Sequence, residues 1–226
     1  MKHTRFFLGA LICAFAFFTA GQTMAQTAKA KTTNDPKALT VLNKASENYT
    51  KAGGVKASFT IKLFTKGGAS KDNFTGTIRL KGQRFKIESG DMTTWFDGSN
   101  QWVYLESSNE VNLSKPSSKD LLLMNPVNVF QLYKHGYNSK RLTDKSFNGK
   151  KLYQIELKPA ATEQIQSIVA TFDQTTYRPV SLTITNRDKS GSVVSIGSYQ
   201  AGQAYSDALF TFQPKDFPDA EVIDLR

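Results

Sequence analysis

Apolar side chains first recur at helical spacing. Ala38, Leu39, Val41, Leu42, Ala45 and Tyr49 follow Asn34-Asp35-Pro36, which places a capping side chain and a proline at a helix start, and Gly53-Gly54 ends the run. This predicts an amphipathic helix of about four turns. The period then drops from 3.6 to 2. Val55, Ala57, Phe59, Ile61 and Leu63 alternate with Lys56, Ser58, Thr60 and Lys62, as a strand with one buried and one wet face requires. Phe74, Gly76, Ile78 and Leu80 alternate again, and residues 84–88 continue the pattern. Residues 93–96 run into Asp97-Gly98, a hairpin turn signal, and 101–105 leave it; Val111 and Leu113 close this β-rich half.

A polar break at 115–120 precedes Leu121-Leu122-Leu123-Met124, and Pro126 opens a second short helix through Val127, Val129, Phe130, Leu132 and Tyr133 to Gly136. Strands are expected again at 137–143, 152–157, 165–172, 180–185, 193–199 and 209–212, with turns at Asn148-Gly149, 173–179 and 188–191. Roughly ten short strands at ~8–12-residue spacing indicate a mainly β fold built on a large curved antiparallel sheet. The expected organisation is a polar, flexible lead at 26–33 and a single domain at 34–226.

The first 25 residues read differently. Lys2, His3 and Arg5 precede an uncharged apolar run at 6–20, and small residues at Thr23 and Ala25 stand before Gln26. The run is short of the ~20 residues of a membrane span, and the pattern predicts a secretory signal peptide cut after Ala25. Its removal takes two charges from the net +10 and leaves +8; it also removes Cys13, the sole cysteine, and His3, so His135 is the remaining histidine. The exported chain then has no disulfide, no thiolate nucleophile and no multi-histidine metal site.

Little in the sequence suggests catalysis. No G-x-S-x-G, phosphate-cradling glycine loop or H-E-x-x-H occurs, and His135 stands at a predicted helix end, where it suits the helix dipole. Asp97, Asp173 and Asp188 sit at turn signals, where aspartate serves local hydrogen bonds. No catalytic residue, cofactor or metal is therefore expected. The basic residues are scattered over wet strand faces, which argues against a nucleic-acid partner and fits either attraction to acidic membrane surfaces and partners or simply a solvated surface. Aromatics carry more: Trp95, Trp102 and Tyr104 gather around one hairpin. The mid-chain helical segment is too apolar for a pair of surface helices. It is either a plug that completes the core, which periodicity alone favours, or a lid over a concave sheet with an apolar ligand between the layers.

The order of segments resembles the outer-membrane lipoprotein carrier family, LolA, across the whole exported chain. The resemblance rests on the leading helix, Ala57-Ser-Phe59-Thr, Phe74-Thr-Gly76-Thr-Ile78-Arg-Leu80, Asp97-Gly98 with Trp102 and Tyr104, the Leu-rich mid-chain segment, Leu157-Lys-Pro159, and Phe210-Thr-Phe212-Gln-Pro214. It implies an incomplete, strongly curved antiparallel β-barrel with a helical lid over an apolar cavity. It also implies a periplasmic, monomeric carrier that shields the acyl chains of lipoproteins between the inner and outer membranes. Its partners would be acylated lipoproteins, an inner-membrane ABC-type lipoprotein releasing complex and an outer-membrane receptor. The expected lipid contacts are Phe59, Ile61, Ile78, Phe85, Trp95, Trp102 and Tyr104 on the sheet, and Leu121, Leu122, Met124, Val129 and Phe130 on the lid. One departure stands out: where the family carries an arginine that latches the lid, this chain has Gly82, with Arg84 as the nearest substitute. The alternatives of a different class are a periplasmic lipid- or lipoprotein-sensing regulatory protein and an envelope-lipid enzyme.

Overall fold

The computed structural model describes residues 32–68, 70–117, 121 and 126–226; the predicted signal peptide, Leu122 and Met124 lie outside them. Helix α1 (Pro36–Lys51) forms where expected. Asp35 caps it, its carboxylate accepting from the Lys37 N–H at 2.8 Å, with Pro36 at the first helical position. Ala38, Val41, Leu42 and Ala45 form its buried stripe.

Strands β1 (Val55–Phe64), β2 (Ser70–Lys81), β3 (Arg84–Ser89), β4 (Met92–Phe96), β5 (Gln101–Leu105) and β6 (Glu110–Ser114) run as an antiparallel meander. A 3-10 helix (Pro126–His135) intervenes before β7 (Tyr137–Arg141), β8 (Lys145–Phe147), β9 (Lys150–Pro159), β10 (Ile165–Asp173), β11 (Pro179–Asn186) and β12 (Gly191–Ala201). A last strand, β13 (Glu221–Asp224), pairs parallel with β6. The sheet order is β13-β6-β5-β4-β3-β2-β1-β12-β11-β10-β9-β7, with β8 added to β9. Its two ends do not meet, so the barrel is incomplete.

The curvature has local causes. Between Ala57 and Phe59 the β1–β12 register slips, and the Ser198 N–H bonds the Ser58 hydroxyl at 2.8 Å; such bulges bend a strand and increase its twist. Phe59 lies directly across from Gly76 on β2, and a Cβ on Gly76 would sit 2.5 Å from the Phe59 ring and 2.5 Å from the Glu88 carbonyl. The glycine is thus the seat of the aromatic ring. Gly76→Ala is expected to cost about 2–3 kcal/mol, as overpacking does, read as a fall in the urea midpoint with an unchanged slope.

The main core lies on the concave face. Inward residues of β1, β2, β3, β9, β10 and β11 close on α1 and the 3-10 helix in one apolar cluster that includes Phe85, Leu132, Ile155, Leu157 and Phe172. The lead peptide covers the β7 edge: the Asp35 N–H bonds the Ser139 carbonyl at 2.9 Å and the Ser139 N–H bonds the Thr33 carbonyl at 3.2 Å. This answers the hazard of an unpaired edge.

Three expectations change. Thirteen strands form among the described residues rather than about ten, since β8 and β13 are too short and too polar to register as periodic runs. Residues 209–212 are not a strand: Asp207–Phe210 forms a 3-10 turn, with the Asp207 carboxylate held by Lys81 at 2.9 Å and Arg84 at 3.1 Å. The alternation of Phe210 and Phe212 imitates a strand because both rings are buried around that turn. The second helix spans its expected residues but is 3-10 throughout.

Candidate functional site: the concave face and its 3-10 cover

The concave face and the elements lying over it make the candidate site. Ala57, Ile78, Leu80, Leu182, Ile196 and Tyr199 come from the sheet, Pro179 from the start of β11, and Phe130 from the 3-10 helix; together they enclose an apolar cavity of about 30 Å³. Pockets for small molecules run ~300–1,000 Å³, so the space enclosed by these described residues is nearly filled. A larger cleft of about 580 Å³ lies elsewhere, lined by Asp35, Lys37, Arg141, Leu142, Thr143 and Asp144. It is polar and wet and offers an acyl chain nothing.

Among the described residues, one polar bond ties the cover to α1 and another lies within it. Tyr133 donates its hydroxyl to Asn43 Oδ1 of α1 at 2.7 Å, and Asn128 donates its amide to the Leu121 carbonyl at 2.7 Å. Val129, Phe130 and Leu132 point into the core, and the Phe130 ring meets Phe172 with centroids 5.7 Å apart. A ten-residue 3-10 helix is itself unusual, because its hydrogen bonds are poorer than those of an α-helix and runs longer than ~3–4 residues are uncommon.

The expected lipid contacts separate into two groups. Phe59, Ile61, Ile78, Phe85, Leu121, Val129 and Phe130 come together in the concave cluster. Leu122 and Met124 fall outside the described residues. Trp95, Trp102 and Tyr104 do not belong with the first group: they form a separate cluster with Val111, Phe212, Phe217 and Ala220. Trp95 and Trp102 are cross-strand partners, and alternation places Phe96 and Val103 on the other side of β4 and β5. The rings serve as the seat of the C-terminal segment, with Trp95 edge-on to Phe212 and Phe217 at 5.6 and 5.7 Å, and Tyr104 against Phe217 at 4.6 Å. Concave-side residues that were not among the expected lipid contacts include Leu80, Leu182, Ile196 and Tyr199. All four sit in expected strands, so only their shared lining was hidden.

The latch differs as well. Gly82 occupies the β2–β3 turn with φ +59, a conformation that suits glycine. Its carbonyl accepts the Tyr49 hydroxyl of α1 at 2.6 Å, and burial pushes that phenol well above its ordinary pKa. Arg84 turns away from the cover: Nε donates to the Asp97 carbonyl at 3.0 Å and the guanidinium pairs with Asp207 at 3.1 Å. Arg84→Ala should therefore leave the binding of any ligand under the cover unchanged. Its exposed ion pair is worth at most ~1 kcal/mol, and faster amide exchange at 207–217 is the expected readout. A weakened ligand affinity would return Arg84 to the latch.

Two further groups have local explanations. His135 is exposed at the end of the 3-10 helix, before Gly136 with φ +87. Burial raises the Glu88 carboxyl, but hydrogen bonds from Arg79 and Lys86 outweigh it and hold the group below its usual range. Among the described residues no three His, Cys, Asp or Glu side chains converge as a metal site, and no helix is long and apolar enough to cross a membrane.

Residues 23–189 match the model of the family described as outer membrane lipoprotein carrier protein LolA. The chain belongs to this family. None of the curated proteins matches it. Among solved structures, an uncharacterised conserved protein from Thermus thermophilus superposes with TM-score 0.59 at 11% identity, over 83% of this chain and 99% of that one. An outer membrane lipoprotein-sorting protein domain from Vibrio parahaemolyticus gives 0.46 at 14% identity, over 77% and 96%. The MucA/MucB complex of Pseudomonas aeruginosa gives 0.41 at 14%, over 79% and 62%. The Thermus likeness shows the shared fold, and the LolA-like sheet carries this chain's own cover and C-terminal seat.

Proposed function

We propose that this LolA-family protein is a periplasmic carrier that shields lipoprotein acyl chains in transit between membranes, with no catalytic step. The observation that carries the reading is an apolar concave site closed by a 3-10 helix rather than by a regular one. Each buried methylene is worth ~0.8 kcal/mol, so an acyl chain of ~14 methylenes brings about 11 kcal/mol of burial to offset displacement of the cover. Val129, Phe130 and Leu121 leave the concave face as the chain enters, and Phe59, Ile61, Ile78 and Phe85 form its bed. Because the resting site is already filled by the protein's own side chains, unaided loading is slow, and an ABC-type releasing complex in the inner membrane is suited to speed it. Release needs an acceptor with a better-formed cavity, the role of an outer-membrane receptor.

The test is native mass spectrometry of the protein with a synthetic triacylated lipopeptide. A one-to-one complex, with no binding of the same peptide lacking acyl chains, supports the carrier. Deacylated product would favour an enzyme. Absence of any complex, with binding instead to a periplasmic regulatory protein, would favour a sensor.

A further inference from the structure

The β8–β9 hairpin is unlike the rest of the surface. Its two-residue turn, Asn148-Gly149, has φ +49 and +73, the paired left-handed conformation of a tight hairpin turn. Phe147 lies across from Lys150, Ser146 from Lys151, and Lys145 from Leu152. Leu152 is the last buried residue; residues 145–151 are all exposed. Phe147 is 65% exposed, the most exposed of the large hydrophobic side chains among the described residues. A β-hairpin tip thus carries one bare aromatic ring among three lysines.

The acids nearby do not neutralise all of that charge. Asp144 is held by Arg141 at 2.8 Å and by the Gln174 amide at 2.8 Å. Asp173 feels Lys150 but spends its carboxylate on the Thr175 and Thr176 N–H groups and the Thr176 hydroxyl. Lys145 and Lys151 are exposed and project from the same hairpin tip. An aromatic ring with adjacent lysines suits a bilayer interface, where the ring enters the headgroup level and the ammonium groups meet lipid phosphates. The tight turn means that little conformational freedom is lost on docking.

We propose that this hairpin docks on the surface of an anionic phospholipid bilayer, with Phe147 entering the interface and Lys145, Lys150 and Lys151 meeting the phosphates. None of these residues lines the apolar cavity, so the proposal goes beyond the carrier reading and stands or falls separately from it.

The experiment is co-sedimentation of the exported full-length chain, without lipoprotein, with vesicles of equal parts phosphatidylglycerol and phosphatidylcholine, and with vesicles of phosphatidylcholine alone. The wild type is expected to bind the first and not the second. Phe147→Ala should lower the partition coefficient about tenfold. The triple variant Lys145→Gln/Lys150→Gln/Lys151→Gln should lower it on the order of a hundredfold. All four positions are exposed, and thermal melts of the variants confirm an intact fold. Equal binding to both vesicles, no binding to either, or unchanged binding by the variants overturns the proposal. So does a wild-type dimer that Phe147→Ala abolishes, which would seat a second copy of the chain on the tip.

Discussion

Replacing Phe130 by alanine is expected to lower stability by about 3–5 kcal/mol and, at the same time, to tighten acyl binding about tenfold. The two effects have one origin. Phe130 is 2% exposed, packs on Phe172 and lines the small cavity with Ala57, Ile78, Leu80, Leu182 and Ile196. In the closed protein the ring occupies space that an acyl chain would take. On the carrier reading its contacts favour the closed state alone, so removing them raises the fraction of chains able to accept ligand, and apparent affinity rises with that fraction. Chemical denaturation and fluorescent fatty-acid titration on the same sample read both numbers. A fall in affinity together with stability would make the ring a wall of the site rather than its resting occupant.

Trp95→Ala is the counterpart on the other face. Trp95 is 4% exposed, and its ring is edge-on to Phe212 and Phe217 with the Lys86 ammonium 5.4 Å from its centroid. Truncation removes the seat of the C-terminal segment and should cost about 3–5 kcal/mol, a melting shift on the order of 10 °C for a chain this size. Acyl affinity should stay within about twofold, because distant and independent sites add rather than couple. Hydrogen exchange at 210–225 should accelerate while the 3-10 helix keeps its protection. A large loss of affinity would put the aromatic face back among the ligand contacts.

These two variants also mark where the sequence was legible. In β1 one face is apolar and the other carries Lys56, Ser58, Thr60 and Lys62, so alternation alone assigns Phe59 and Ile61 to the buried side. In β4 and β5 both faces are apolar or aromatic, with Phe96 and Val103 on one and Trp95, Trp102 and Tyr104 on the other. A period-2 pattern then has no wet face to orient it. What decides the matter is a segment about a hundred residues later in the chain, Phe212 and Phe217, and such long-range packing is invisible to local periodicity.

The cover was half legible. Pro126 and Gly136 bound the helix as the sequence suggests, yet its 3-10 winding is a tertiary outcome: Val129, Phe130 and Leu132 are all drawn into the core. Gly82 was recognisable as a departure from the family arginine. Its physical counterpart, the Tyr49 hydroxyl on the Gly82 carbonyl, joins α1 to a turn 33 residues away and follows from no motif. Motifs that did carry physics are Phe59 in one element and Gly76 in another, which turn out to be a ring and its seat across a strand pair.

On the carrier reading the concave face holds acyl chains once its cover has moved. The most direct measurement is mass spectrometry of the full-length protein, exported to the periplasm and purified without detergent. A co-purifying acylated ligand, lipoprotein or diacyl lipid, is expected at near-stoichiometric amounts, with a reduced share in a variant carrying Ile78→Asp. A protein that emerges empty and stays empty when triacylated lipoprotein is added would contradict it, and would leave Val129, Phe130 and Leu132 as an ordinary core.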